Sequence, residues 1–207
     1  MNTPPAPAPS LKLVGESPLD PAAIAPEQIH ALTTARLRAR KVVRAANTAA
    51  FSGWTCAVFA VITLLLGIFS LPSFLLGLGL GAAALIELRC GKSLRRFDVR
   101  APRTLALNQI ALWFVLTAYS GWCIFTAITA PGMYDDYIRQ GPEMAATLEP
   151  LGRLHTAVTV GFYCAVILIS LVAQGCMALY YITRRRHVEA YLRSTPQWAV
   201  AALRAAA

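Results

Sequence analysis

The chain has 207 residues, a formal net charge of +9 and 57% hydrophobic residues, and its mean hydropathy is +0.53. That balance excludes an ordinary soluble domain, because a chain this short cannot enclose several helices that are apolar all round. The charge alone would fit nucleic acid, but no recognition-helix, zinc-finger or RNP pattern accompanies it, so no nucleic-acid partner is expected.

Residues 1–26 hold seven prolines and no apolar signal region, and read as a disordered cytoplasmic tail with polyproline character. From 27 to 46 the pattern is helical. Pro26 suits a first helical position, and Glu27 suits the positive end of the helix dipole. Ile29, Leu32, Ala35, Ala39, Val42, Val43 and Ala46 share one face, while Arg38, Arg40, Lys41 and Arg44 lie opposite. This is a basic amphipathic helix that lies on the inner leaflet or runs into the first span.

Four apolar runs follow, at about 48–70, 71–88, 104–130 and 156–182. A run of about 18 or more residues crosses a ~30 Å hydrocarbon layer as a helix, which satisfies its own backbone hydrogen bonds. The first two runs form a tight hairpin whose outer turn is Leu71-Pro72-Ser73, with Pro72 ending regular helix. The second run carries Gly77 and Gly81 in a GxxxG pattern, which lets two backbones approach closely. A basic loop, 89–103, leads to the third run. The loop 131–155 is acidic, with Tyr134 and Tyr137 suited to the membrane interface and a short helix from Pro142 broken at Pro150. After the fourth run, 184–193 continue the helix, and 194–207 form a short cytoplasmic helix or tail that restarts at Thr195-Pro196. The fold class is therefore an all-α integral membrane protein with four transmembrane helices, in which 27–193 form the membrane domain with its lead-in helix.

All of the 19 Lys and Arg residues except Arg139 and Arg153 fall on one side of these spans. Basic flanks stay cytoplasmic, which predicts both termini inside a multi-pass cell-membrane protein. Arginine outnumbers lysine 16 to 3 and alanine is abundant, a usage that points to a bacterial inner membrane. The basic segments are expected to meet anionic headgroups at the cytoplasmic face.

Polar residues within the spans fall into two sets. Glu87, Asn108, Gln109 and Gln174 share a depth near the inner leaflet. Thr159, Tyr163, Ser170, Gln174 and Tyr181 lie within about 60° on the fourth span. Thr48, Ser52, Thr55, Thr63 and Ser70 make a similar stripe on the first. Such faces should turn into the bundle or toward an oligomer interface. Glu87 is two residues from Arg89, and snorkelling or pairing with a basic neighbour is its simplest fate. No nucleophile elbow, phosphate loop or HExxH is present. No catalytic residue, metal or cofactor is expected, and the protein reads as non-enzymatic. Helix association, as an accessory or assembly subunit with a membrane-protein partner or a second copy, is the leading expectation. The alternative is an oligomeric channel or small-solute transporter with a polar lining from the first and fourth spans.

Overall fold

A computed structural model describes residues 26–132, 134–139 and 141–205, and the proposed disordered tail lies outside them but for Pro26. Among the described residues every regular element is helical: α1 (Pro26–Gly67), α2 (Leu71–Arg95), α3 (Ala101–Thr129), α4 (Asp135–Ile138), α5 (Pro142–Ser194) and α6 (Gln197–Ala205). Four of them, α1, α2, α3 and α5, are long and apolar enough to cross a membrane.

The lead-in segment and the first apolar run form one unbroken rod of 42 residues. At 1.5 Å per residue α1 is about 63 Å long, roughly twice a hydrocarbon layer. Nothing in 44–50 breaks the helix: Arg44-Ala-Ala-Asn-Thr-Ala-Ala lacks Gly and Pro. Pro72 plays the opposite part to the one expected. The turn is Ile68 to Ser70, and Pro72 sits in the first turn of α2, where its missing N–H leaves nothing unpaired. Pro150 likewise fails to break the chain and lies inside the 53-residue α5. Proline there removes the partner of the Ala146 carbonyl, but both residues are exposed, so that carbonyl stays open to solvent.

α1 and α2 form an antiparallel hairpin in very close contact. Its register is read from the glycines. A β-carbon at Gly67 would lie 2.6 Å from the Phe74 backbone nitrogen, at Gly77 2.7 Å from Leu64 Cγ, and at Gly53 2.9 Å from Leu88 Cγ. Gly81 meets only Ala60, at 3.9 Å. The buried face of α1 is correspondingly small: Ala39, Ala46, Ala49, Gly53, Ala60 and Gly67. Without a hydrophobic drive in lipid, such proximity supplies the attraction through dispersion.

α3 and α5 form the second antiparallel hairpin, and α2 against α3 joins the two. The large core cluster lies at the basic end. There Ala39, Val42 and Ala46 of α1 meet Leu94 and Phe97, Leu105 of α3, Tyr181, Val188 and Tyr191 of α5, and Val200 of α6. A smaller cluster of Ala60, Leu80, Ala83 and Leu112 lies midway along the rods. Beyond the contact of Gly79 with Val115, α2 and α3 part around an apolar cleft lined by Leu71, Leu75, Leu76, Ala118 and Trp122.

The α2–α3 corner is tight. Asp98 N–H donates to Ser93 O (3.1 Å) and Phe97 N–H to Leu94 O (3.0 Å), the paired bonds of a Schellman cap. The left-handed position, usually glycine, is Phe97, with φ 58. Its ring is buried and stacks on Tyr191 at a centroid distance of 4.6 Å.

Candidate functional site

The site grows from one turn of α2 and the second turn of α3. Both are held by the small-residue hairpin, which brings α1 against Glu87: a β-carbon at Gly53 would lie 3.2 Å from Glu87 Cβ. Glu87 and Gln109 are 0% exposed and Asn108 5%. Gln109 Nε2 donates to Glu87 Oε1. Asn108 Nδ2 donates to the carbonyl of Ala83 (3.1 Å) and also reaches Glu87 Oε1 at 3.5 Å. Ser52 of α1 faces the same carboxyl, and Tyr181 of α5 lies within its electrostatic reach. The carboxyl is thus enclosed between α1, α2 and α3.

Glu87 neither snorkels nor pairs with a base. Arg89 is exposed, and the ion pairs among the described residues are Arg153–Glu149 and Arg185–Glu189, both i,i+4. Helical phase explains this: two residues along, Arg89 points about 200° away from Glu87. Glu87 Oε2, Gln109 Oε1 and the Tyr181 hydroxyl have no hydrogen-bond partner among the described residues. Buried polar groups are ordinarily paired, and an unpaired polar atom recurs at several other buried side chains of α3 and α5 as well.

Gln174 is half-buried and makes no hydrogen bond to Glu87, Asn108 or Gln109 among the described residues. The α5 stripe runs along the side that packs on α3. Ser170 and Tyr181 are buried, and Thr159, Tyr163 and Gln174 half-buried. Tyr163 meets Tyr119 edge-on at 6.2 Å, while the Ser170 hydroxyl donates to Ile167 O. The α1 stripe does not turn inward as a unit: Thr55 and Ser70 are exposed. Thr48 and Thr55 donate to Arg44 O and Phe51 O, one turn back. A hydroxyl satisfied by its own helix needs no neighbour, so its polarity does not fix its direction.

A polar face of α3 escaped the sequence reading. Gln109, Trp113, Thr117 and Ser120 recur at intervals of four and three, and each carries a buried polar atom without a partner. That spacing is visible in the sequence, but Trp113 reads as an apolar residue and hides the period. In the loop between α3 and α5, Asp135 Oδ2 accepts the Gly132 N–H (2.8 Å), so this carboxylate caps a turn. No group of three or more His, Cys, Asp or Glu with metal-ligand proximity occurs among the described residues.

No family model matches the chain, and comparison with curated proteins and with solved structures finds no match.

Proposed function

We propose that this is a non-enzymatic multi-pass protein of a bacterial inner membrane, with both termini cytoplasmic, that works by associating with other transmembrane helices as an accessory or assembly subunit. The observation that carries this reading is α5. Only 6% of its most apolar stretch is buried within the chain. A β-carbon at Gly161 or Gly175 would meet nothing within 4 Å, whereas Gly53, Gly67, Gly77 and Gly79 each sit against a neighbour. Glycine inside a helix costs about 1 kcal/mol relative to alanine, and in α1 and α2 close packing offsets that cost. On α5, Ala157, Gly161 and Ala165 leave a shallow exposed face of the kind a second membrane helix fills. The basic residues gathered around the α2–α3 corner and the end of α5 support a cytoplasmic position for that end.

Cys164 lies one turn from Gly161 and is exposed. Mild oxidation of native membranes followed by non-reducing electrophoresis is expected to yield a discrete crosslinked species through Cys164. A chain that stays monomeric in every condition, with no co-purifying partner, defeats the reading.

A second reading is favoured by the Glu87 cluster: passage of a cation or small polar solute along the facing polar sides of α3 and α5. Liposome flux compared between wild type, Glu87→Gln and Gln174→Leu tests it. No flux, or equal flux in all three, removes it.

A further inference from the structure

We propose that the cavity between α1, the α2–α3 corner and α6 is a binding site for one anionic phospholipid headgroup. The cavity has a volume of about 380 Å³ and is lined by Arg36, Asn47 and Arg95 on its polar side and by Ala39, Val43, Phe97 and Leu203 on its apolar side. Cationic rim and apolar floor are the two halves of an amphiphile's complement. Neither arginine has an ion-pair partner among the described residues. Arg95 Nη2 donates to Asn47 Oδ1 (3.0 Å), which aims the guanidinium across the mouth of the cavity toward α1. The nearby acid, Asp98, is engaged elsewhere, its Oδ1 accepting the Arg100 N–H (2.9 Å).

One end of the cavity lies at the edge of the apolar runs, within reach of a lipid. Asn47 immediately precedes the first apolar run, and Arg95 follows the end of the second, at Leu88, by seven residues. That is about 10 Å of helical rise, and Arg36 stands twelve residues, about 18 Å, before the first run, so the cavity reaches from the hydrocarbon edge through and beyond a headgroup layer roughly 5–8 Å thick. On the far side of α6, Trp198 is 45% exposed, as an interfacial anchor should be. Arg95 offers a phosphodiester charge-assisted, forked hydrogen bonds, Arg36 adds a second positive charge at the other end of the cavity, and one acyl chain runs onto Val43 and Leu203. A nucleic acid would need an exposed, wide basic surface and finds an apolar floor instead.

The inference rests on the membrane-spanning reading but not on which compartment the basic end faces, nor on helix association. Its test therefore uses the purified full chain in neutral detergent, where neither matters. Native mass spectrometry counts lipids retained during titration with phosphatidylglycerol, phosphatidylcholine or inorganic phosphate. One phosphatidylglycerol per chain should be retained, preferred over phosphatidylcholine by about tenfold or more. Arg36→Gln with Arg95→Gln should abolish that preference, while Arg100→Gln with Arg103→Gln, on the same side but outside the cavity, should leave it unchanged. Arg36 is exposed and makes no hydrogen bond among the described residues, so Arg36→Gln alone serves if the double variant fails to fold, with about a threefold loss expected. Equal retention of the two lipids, equal loss in the two arginine pairs, or competition by inorganic phosphate at matching concentration overturns the proposal.

Discussion

Gln109 on α3 donates its side-chain amide to the Glu87 carboxyl on α2, and neither side chain has any exposed surface. Together with Asn108 Nδ2 donating to Ala83 O, this hydrogen bond ties the two hairpins together inside the bundle. Gln109→Leu leaves Glu87 without its main donor and is expected to destabilise the fold by about 1–3 kcal/mol. Glu87→Gln should cost less, since an amide oxygen still accepts. The pair Glu87→Leu with Gln109→Leu should be less damaging than the sum of its parts, as removing both members of a buried polar pair often is. Reversible unfolding in mixed micelles measures each variant. Additive losses would mean that the two side chains do not interact.

The two halves of the GxxxG pattern are not equivalent. Gly77→Ala drives a methyl against Leu64, while at Gly81 the nearest atom is 3.9 Å away. The first is expected to cost about 1–3 kcal/mol through overpacking. The second should be neutral or stabilising by a few tenths through helix propensity. Gly67→Ala, against the Phe74 backbone, should be the most damaging of the three. Thermal melts of the three variants in one detergent order them directly.

Phe97 stores backbone strain of about 1–2 kcal/mol by lying in the left-handed region. Its stacking on Tyr191 and its burial offset this. Phe97→Ala loses the ring and keeps a β-carbon, with an expected cost of about 3–5 kcal/mol. Phe97→Gly loses the ring but relieves the strain, so it should melt above Phe97→Ala by about 1 kcal/mol of stability. A lower melting point for the glycine variant would show that Phe97 is unstrained.

Cys164 and Cys176 are exposed on α5, whereas Cys56 and Cys90 are half-buried against the α1–α2 packing. In detergent, a membrane-permeant maleimide should label Cys164 and Cys176 several-fold faster than Cys56. In native membranes a bound partner along α5 should slow Cys164 relative to liposomes that hold the purified chain alone, in which lipid covers the same face. Peptide mass spectrometry reads both. Equal Cys164 labelling in both settings would place lipid, not protein, on that face.

Much of the fold could be read from the chain because the signals were one-dimensional. Runs of apolar residues and the spacing of prolines mark where helices lie, and the arginines beside Leu88 and Ile182 mark where the apolar stretches stop. What a residue does within its helix is less visible. Pro72 and Pro150 look alike in sequence, yet one opens a helix and the other rides inside one. Small residues on α2 stand out in the sequence, but their counterparts on α1, Ala49 and Ala60, show only once the hairpin register is known. The Glu87 cluster was legible by depth. Its closure was not, because a sequence gives a residue's height in the membrane far more readily than the direction it faces.

The 53 residues of α5 make a continuous rod about 80 Å long, reaching from the acidic loop to the contacts with α6. Such a rod behaves as a lever: a tilt of about five degrees about its middle swings each end by about 3–4 Å in opposite directions. Whatever leans on the half next to the acidic loop would be felt at Tyr191 and Phe97, at the opposite end of the bundle, without any atom having to travel between them.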